Sequence, residues 1–304
     1  MRKQIVTATL ASMVALSSMT VANIEEPKAY AAAVNAQNNQ AAVEAKANAL
    51  ISTAKGLMGK ATYSTAVYKK TAPYKFSCAT FLNFIFEKEG VDLATYNENY
   101  MMKQGTTVSK SNLQKGDLIF FDANRSDSEP ADHVGMYIGN NKMIHMADSK
   151  QNIVISDLSS KAYYRDNYLT ARRVLPTLMS ANPATKGDKV VASAYSLKNS
   201  SQSSSLTNAG FVNRVFQNNG VQLGAANLNE QMKKGTYVSR SQLKKGDIVF
   251  FNGTKGSTRP TMAAIYAGDH RLVMKTSEGI ISRVIFVDWY DQHYLTARRV
   301  LAGN

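Results

Sequence analysis

The residues best suited to covalent chemistry in this chain are its single cysteine, Cys78, and its four histidines. Cys78 precedes a stretch from Phe81 to Phe86 in which apolar residues recur at spacings of three and four. This pattern predicts a helix with Cys78 in its first turn. The thiolate is the attacking form of cysteine, and the N–H groups of a first helical turn lower a thiol pKa from its usual value of about 8.5. We therefore expect Cys78 to be a nucleophile with a lowered pKa.

A cysteine nucleophile needs a base, and two of the histidines lie in neighbouring predicted strands. The apolar runs 133–139 and 142–145 are joined by a Gly-Asn-Asn turn, which predicts a β-hairpin with His133 on one arm and His145 on the other. His133 is then the candidate general base for Cys78. His145 is the candidate residue that orients the His133 ring.

Each of these residues also has a structural interpretation. A lone cysteine ahead of an apolar stripe is commonly a small buried core residue, and a lone histidine commonly has a structural role. His133, His145 and Asp132 are also a candidate metal-binding set, although the sequence contains no compact metal-ligand motif. We expect neither a metal nor another cofactor.

Five motifs in order resemble those of the NlpC-type cell-wall peptidases, which have a papain-like fold. They are Ala54–Gly59 ahead of Tyr63, Cys78 at the start of a helix, Lys115–Phe121, His133–Gly139 and Met143–His145, and the resemblance covers residues 46–176. It implies a cysteine peptidase acting on peptidoglycan stem peptides, at the bond that joins the side-chain carboxyl of D-glutamate to the diamino acid. It also implies a nucleophile at Cys78, a base at His133 and an orienting residue at His145.

The chain departs from the family pattern around the candidate nucleophile. The family usually has Asp before the cysteine and Ser-Gly after it, where this chain has Ser77 and then Ala79-Thr80. The Gly-Gly loop common between the tyrosine and the cysteine is replaced by a segment without glycine. Tyr63, Ser77 and Asp132 are the candidate substrate-binding residues.

An internal repeat at an offset of about 130 residues organises the whole chain. Gly105–Asp117 returns as Gly235–Asp247, and Tyr168–Leu175 returns as Tyr294–Leu301. In each copy, helical segments precede short β-rich runs, which indicates an α+β layout and not a βαβ alternation. The predicted fold is α+β, with two tandem papain-like domains that each pack N-terminal helices on an antiparallel sheet.

The domain boundaries follow from the repeat and from the N-terminal composition. Arg2 and Lys3 precede an uncharged, largely apolar stretch and then a small-x-small site at residues 29–31, which is typical of an export signal. We expect a signal peptide at 1–31, a lead at 32–45 that is either a loose tail or a first helix, and a catalytic copy at 46–176. A linker at 177–186 and a second copy at 187–304 complete the chain, and the signal predicts a secreted or cell-wall protein.

The second copy lacks every member of the proposed catalytic set. Alignment of the copies places Asn208 at the position of Cys78, Met262 at that of His133 and Met274 at that of His145. An amide cannot supply a thiolate and a methionine cannot act as a base. The second copy is therefore predicted to be inactive, and the joint loss of all three residues supports a shared task in the first copy.

The charge of the chain predicts an anionic partner. The formal net charge is +14. Residues 46–176 carry 17 basic and 12 acidic side chains, a net +5, whereas residues 184–304 carry 16 and 7, a net +9. Candidate partners beside peptidoglycan itself are teichoic acids and other wall polyanions, held by salt-sensitive attraction. Nucleic acid is not expected, because no aromatic-basic recognition motif is present.

The leading hypothesis is a secreted cysteine endopeptidase of peptidoglycan stems whose second copy binds the wall. Two alternatives stay open. One is an amidase or acyltransferase of the same fold, and the other is a non-catalytic cell-wall-binding protein. The oligomeric state and the identity of the diamino acid do not follow from the sequence.

Overall fold

The structure is a computed structural model that describes residues 26–126, 130–198 and 200–301, with the side chains of 26–34 and of residue 202 set aside. The first copy contains α1 Glu26–Gly56, β1 Ala61–Tyr63, β2 Tyr74–Phe76, α2 Cys78–Lys88, α3 Glu98–Met101, β3 Thr106–Val108, β4 Leu118–Phe121, β5 His133–Gly139, β6 Lys142–Met146, β7 Ile153–Asp157, α4 Ala162–Asp166, β8 Tyr168–Arg173 and α5 Leu175–Leu178. The second contains α6 Lys186–Lys198, α7 Asn208–Gln217, α8 Leu228–Gln231, β9 Thr236–Val238, β10 Ile248–Asn252, β11 Pro260–Gly268, β12 Arg271–Thr276, β13 Gly279–Val284, α9 Asp288–Gln292 and β14 Tyr294–Arg299.

Each copy is built on a six-stranded antiparallel sheet with the same strand order. The first sheet runs β3-β8-β4-β5-β6-β7, and the second runs β9-β14-β10-β11-β12-β13. The predicted α+β fold with two repeated domains is therefore confirmed. The first copy adds a parallel pair, β1 with β2, directly ahead of the cysteine helix.

The central strand β4 is buried on both faces, and this explains its unbroken apolar sequence. Leu118 and Phe120 lie in the core formed with helices α1 and α2. Ile119 and Phe121 face the opposite side, where Phe121 makes an edge contact with Tyr164 from α4 at a centroid distance of 5.3 Å. Because successive side chains of a strand point to opposite faces, a strand covered on both sides must be apolar throughout.

The two repeated motifs meet in space as a buried ion pair. In the first copy Arg173 Nη2 lies 2.9 Å from Asp117 Oδ2, and in the second Arg299 Nη2 lies 2.7 Å from Asp247 Oδ2. Both carboxylates are almost fully buried, and each also accepts a backbone N–H from the turn three residues upstream at 2.8 Å. The repetition of Lys-Gly-Asp and Ala-Arg-Arg thus has a structural cause.

The predicted N-terminal segments fall partly outside the described residues. Residues 1–25 of the predicted signal peptide are not described, so that prediction stays a prediction. The predicted lead at 32–45 is part of helix α1, which continues across the predicted boundary at residue 46. None of the described helices is both long enough and apolar enough to cross a membrane.

The second copy contacts the first through the turn between β11 and β12. Arg271, only 1% exposed, donates hydrogen bonds to the carbonyls of Gly268 and Ala267 in its own copy and to those of Asp92 and Leu178 in the first. The adjacent Asp269 carboxylate accepts the Gly105 N–H at 2.8 Å and the Thr177 hydroxyl at 2.6 Å. One turn therefore links the two copies by five hydrogen bonds, counting both carboxylate oxygens that face Gly105.

Replacing Arg271 by Ala should destabilise the protein strongly, because four buried carbonyls lose their donors at once. We expect the free energy of unfolding in urea to fall by about 2–4 kcal/mol. Arg259→Ala, at an exposed arginine of the same copy, is the matched control and should change it by less than about 0.5 kcal/mol. Equal effects of the two substitutions would contradict the linking role.

Candidate active site

The two histidines of the β5–β6 hairpin form a direct hydrogen bond. His133 Nε2 lies 2.7 Å from His145 Nδ1, and the rings are nearly perpendicular, with an interplanar angle of 81°. Both residues are buried, His145 completely. The hairpin therefore brings together the candidate base and the candidate orienting residue, as the sequence predicted.

Gly135 makes room for this pair. A Cβ atom at residue 135 would lie 2.7 Å from Met143 Sδ and 3.2 Å from the Cβ of His145. The first distance is shorter than real Cβ contacts, so a larger residue would displace the side chains behind the histidines. The second copy has Ala264 at the equivalent position, where no histidine is present.

Cys78 occupies the first position of helix α2, and Ser77 caps that helix. The Ser77 hydroxyl accepts the Thr80 N–H at 3.2 Å, and Thr80 Oγ1 accepts the Ser77 N–H at 2.7 Å, which completes a capping box. Ser77 was a candidate substrate contact, but its hydroxyl serves the helix start. Ser77 and Thr80, which depart from the family pattern, thus fix the residue at which the helix begins and thereby the position of the Cys78 thiol.

The ionisation of Cys78 differs from the sequence expectation. Burial raises the pKa of the Cys78 thiol to about 11, and the negative charge of Glu98 adds to this. The backbone N–H groups of Val134, Ala79 and Cys78 itself act in the opposite direction but do not outweigh burial. The expected lowered pKa is therefore wrong for the substrate-free site.

The candidate base is neutral in the same state. Burial lowers the pKa of His133 to about 4, and Asp132 and Asp148 only partly oppose this. The pKa of His145 is lowered further, by burial and then by its neighbours His133 and Lys161. The resting pair is therefore a thiol and an imidazole, and among the described residues no hydrogen bond joins them. The N–H of Val134, the residue after His133, donates to the thiol.

Tyr63 and Asp132 lie at the edges of this site. The Tyr63 N–H donates to Asn152 Oδ1 at 2.8 Å, and burial and the nearby charge of Cys78 raise the pKa of its phenol. Asp132 Oδ2 accepts the N–H groups of Ala123 and Asn124 at 2.7 and 3.2 Å, so its carboxylate holds the loop after β4. Their predicted substrate contacts stay predictions.

Two further side chains contact His145, a third contacts one of these two, and sequence reasoning did not find them. Ser156 Oγ lies 3.0 Å from His145 Nε2, and the Tyr164 hydroxyl lies 3.3 Å from the same nitrogen. Lys161 Nζ donates to Ser156 Oγ at 3.3 Å. The only sequence signal was the aromatic pair at 163–164, which returns as residues 289–290.

The second copy replaces the nucleophile with a structural amide. Asn208, at the first position of α7, donates through Nδ2 to the carbonyls of Ala263 and Lys275, both at 2.9 Å. Its Oδ1 accepts the Ala263 N–H at 2.7 Å. The amide therefore ties the helix start to strands β11 and β12, with Met262 and Met274 on those strands in place of histidines.

The metal alternative finds no geometric support in the described part of the chain. There, no three His, Cys, Asp or Glu side chains converge in a way that would hold a metal ion.

A sequence comparison matches the NlpC/P60 family over residues 61–173 and again over residues 194–299, which together are most of the chain. The chain belongs to the NlpC/P60 family. The two matched ranges correspond to the two sheets, so each copy is a separate NlpC/P60 unit in sequence as well as in topology.

Two curated relatives and one solved structure illustrate the range of this NlpC/P60 chain's neighbours. The γ-DL-glutamyl hydrolase of Bacillus subtilis is 28% identical over 82% of this chain and 60% of its own length. A γ-D-glutamyl-L-lysine dipeptidyl-peptidase of Bacillus cereus is 33% identical over 43% of this chain and 37% of its own length. A crystal structure of an NlpC/P60 family protein from Bacillus cereus is 32% identical, covers 43% of this chain and 40% of that chain, and has a TM-score of 0.37. The chain spans less than two thirds of these relatives' lengths.

The ionisation state of Cys78 can be tested by alkylation. Because only the thiolate reacts, the rate of labelling by iodoacetamide in the native protein should rise with pH up to about 11, following the raised pKa of the thiol. The urea-unfolded chain is the control and should show a midpoint near pH 8.5. A native midpoint below that of the unfolded chain would contradict the thiol–imidazole assignment and favour a preformed ion pair.

Proposed function

We propose that this chain is a cysteine endopeptidase that hydrolyses peptidoglycan stem peptides at the bond between the γ-carboxyl of D-glutamate and the diamino acid. The observation that carries the proposal is the 2.7 Å hydrogen bond between His133 and His145 beside a thiol at the first position of a helix. Membership of the NlpC/P60 family and the activities after which the two relatives are named support it.

The hydrogen bonds around His145 are compatible with one productive arrangement of protons. If His145 Nε2–H donates to Ser156 Oγ or to the Tyr164 hydroxyl, His145 Nδ1 is an acceptor. His133 then donates from Nε2 to that atom, which leaves its Nδ1 with a free lone pair. This nitrogen is the one that would take the Cys78 proton.

In the proposed reaction the neutral pair acts in one concerted step. As Cys78 Sγ bonds to the scissile carbonyl carbon, the thiol proton moves to His133 Nδ1, so no free thiolate has to exist beforehand. The oxyanion is stabilised in part by the Cys78 backbone N–H. His133 then gives its proton to the leaving amine as the C–N bond breaks. Water, activated by His133, hydrolyses the acyl-enzyme and restores the thiol.

A second candidate substrate is a polymer of γ-linked glutamate. A relative that matches 82% of this chain is named a γ-DL-glutamyl hydrolase, and such a polymer is a polyanion that would suit a chain with a net charge of +14. Both candidate substrates contain a γ-glutamyl amide, so the same residues would serve either one.

Mass spectrometry of the products separates these candidate substrates from each other, and the endopeptidase from an amidase and from a non-catalytic binding protein. Purified sacculi and poly-γ-glutamate are incubated in parallel with the full chain. Shortened stems would support the endopeptidase, release of whole stems from the glycan would indicate an amidase, and shortening of the polymer alone would favour the second substrate. Binding without any new product would indicate a non-catalytic protein and overturn the proposal.

Substitution of the nucleophile and the base tests their roles. Cys78→Ala and His133→Ala should each lower kcat at least a thousandfold with little change in the free energy of unfolding. The double variant should be barely worse than either single one, because the two groups act as a unit. Asn208→Ala in the second copy is the matched control and should leave kcat unchanged. A kcat within tenfold of wild type in Cys78→Ala would contradict the assignment of Cys78 as the nucleophile.

We further propose that the protein is exported, that the copies divide at 46–176 and 187–304, and that the second copy holds the wall. Its excess of basic side chains would attract anionic groups of peptidoglycan or teichoic acid. Because Asn208 is fully bonded to the backbone, we place this attraction on the exposed surface and not in the former catalytic groove.

Charge reversal in a Cys78→Ala background tests wall binding without turnover. Lys234, Lys244 and Lys255 are exposed in the second copy, and Lys60, Lys75 and Lys142 are exposed in the first. Changing the second-copy set to Glu should lower sedimentation with purified walls at low salt at least tenfold, whereas the first-copy set should lower it less. The difference should disappear at several hundred millimolar salt. An equal loss of wall binding in the two sets would contradict the proposal that the second copy holds the wall.

A further inference from the structure

A cleft of about 360 Å³ lies between His133, the segment after β6 and the start of α4. It is lined by His133, Ala147, Asp148, Gln151, Lys161, Tyr163 and Tyr164. His133 is the proposed base, so any group held in this cleft lies close to the reacting bond. Besides the proposed base, two side chains that carry a charge line this cleft. They are Asp148 and Lys161.

These two charges differ in how they are bonded within the protein. The Asp148 carboxylate accepts the Lys150 and Gln151 N–H groups, both at 2.8 Å, and the Gln151 side-chain amide at 2.7 Å. Lys161 donates to Ser156 Oγ and lies 5.8 Å from the centre of the Tyr164 ring. Among the described residues Lys161 forms no salt bridge. The cleft thus presents one ammonium group whose charge has no anionic partner.

Ser156 links that ammonium group to His145, the partner of the base. Ser156 is 1% exposed, and its hydroxyl contacts both Lys161 Nζ and His145 Nε2. The side chain of an exposed lysine usually adopts several conformations. Here a buried hydroxyl accepts a hydrogen bond from Lys161 at the wall of the cleft.

The second copy shows that this arrangement is not needed for the fold. The strand pairing places Arg283 at the position of Ser156, and Val287 precedes α9 as Lys161 precedes α4. Tyr164, in contrast, returns as Tyr290 with the same edge contact, to Phe251 at 5.4 Å. Ser156 and Lys161 are therefore absent where the histidines are absent, whereas the packing residue stays.

We propose that Lys161 forms a carboxylate-binding subsite next to the base, so that this chain selects substrates with a free carboxylate near the scissile amide. This inference rests on the proposed function, and it identifies a carboxylate as the substrate group that the site recognises. A γ-linked glutamyl residue keeps its α-carboxylate free, and the residue after the scissile bond carries a second carboxyl group. A carboxylate with an ammonium partner makes a charge-assisted hydrogen bond that an amide in the same place cannot match.

The test measures affinity and turnover separately, with three peptides. They are L-Ala-γ-D-Glu-L-Lys, the same peptide with the glutamyl α-carboxylate changed to an amide, and the same peptide with only the lysine carboxylate changed to an amide. Binding is measured by calorimetry on the full chain carrying Cys78→Ala, and kcat/KM on the otherwise wild-type chain. Both are repeated with Lys161→Met, Lys161→Arg and the exposed control Lys142→Met.

One of the two amides should bind about tenfold more weakly than the parent peptide, and the affected amide identifies which carboxylate Lys161 contacts. Lys161→Met should remove this preference, whereas Lys161→Arg and Lys142→Met should keep it within about threefold. A preference below twofold for both amides, an unchanged preference in Lys161→Met, or no binding of any peptide would overturn the subsite. A preference in binding without cleavage would support the subsite while overturning the proposed activity.

Discussion

The buried pair of Asp117 and Arg173 is the constraint on which the first copy depends. It ties the turn that enters β4 to the end of β8, and its carboxylate also closes the turn itself by accepting the Gln114 N–H. Removing one member of such a pair leaves a buried charge without compensation, at a cost of about 3–5 kcal/mol. With β4 fixed between β8 and β5, the hairpin of β5 and β6 can extend in only one direction, and its two histidines face each other.

The same constraint holds in the second copy, through Asp247 and Arg299. The second copy keeps the strand order of the sheet, the start of the helix and the edge contact between Tyr290 of α9 and Phe251. It has other residues at the positions of Cys78, His133, His145, Ser156 and Lys161. Comparing the copies therefore separates the residues that make the fold from those that make the site. Such a comparison inside one chain needs no second protein.

Local pattern was enough to predict much of this molecule. The spacing of apolar residues after Cys78 predicted the helix, and the apolar runs on either side of residues 139–141 predicted the hairpin. The internal repeat predicted two domains with one topology. The capping role of Ser77 was not predicted, although Ser77 and Thr80 have the spacing of a capping box. The pKa of Cys78 was predicted in the wrong direction, because a first-turn position is a local property whereas burial arises only when β5 packs over the helix. Ser156 was not predicted because the pairing of β6 with β7 brings it to His145, and Lys161 because it reaches the site only through Ser156. Arg271 was not predicted because two of its four partners lie in the other copy.

Asn208 is a structural part of the second copy. Its amide makes three hydrogen bonds to the strands beneath it, two donated to carbonyls and one accepted from the Ala263 N–H. A cysteine at residue 208 could accept that N–H, as Cys78 accepts the N–H of Val134, but its thiol has one weak donor for two carbonyls. Placing a thiol at residue 208 would therefore cost stability, because at least one carbonyl would lose its donor. The stability of the second copy alone thus favours an amide at this position.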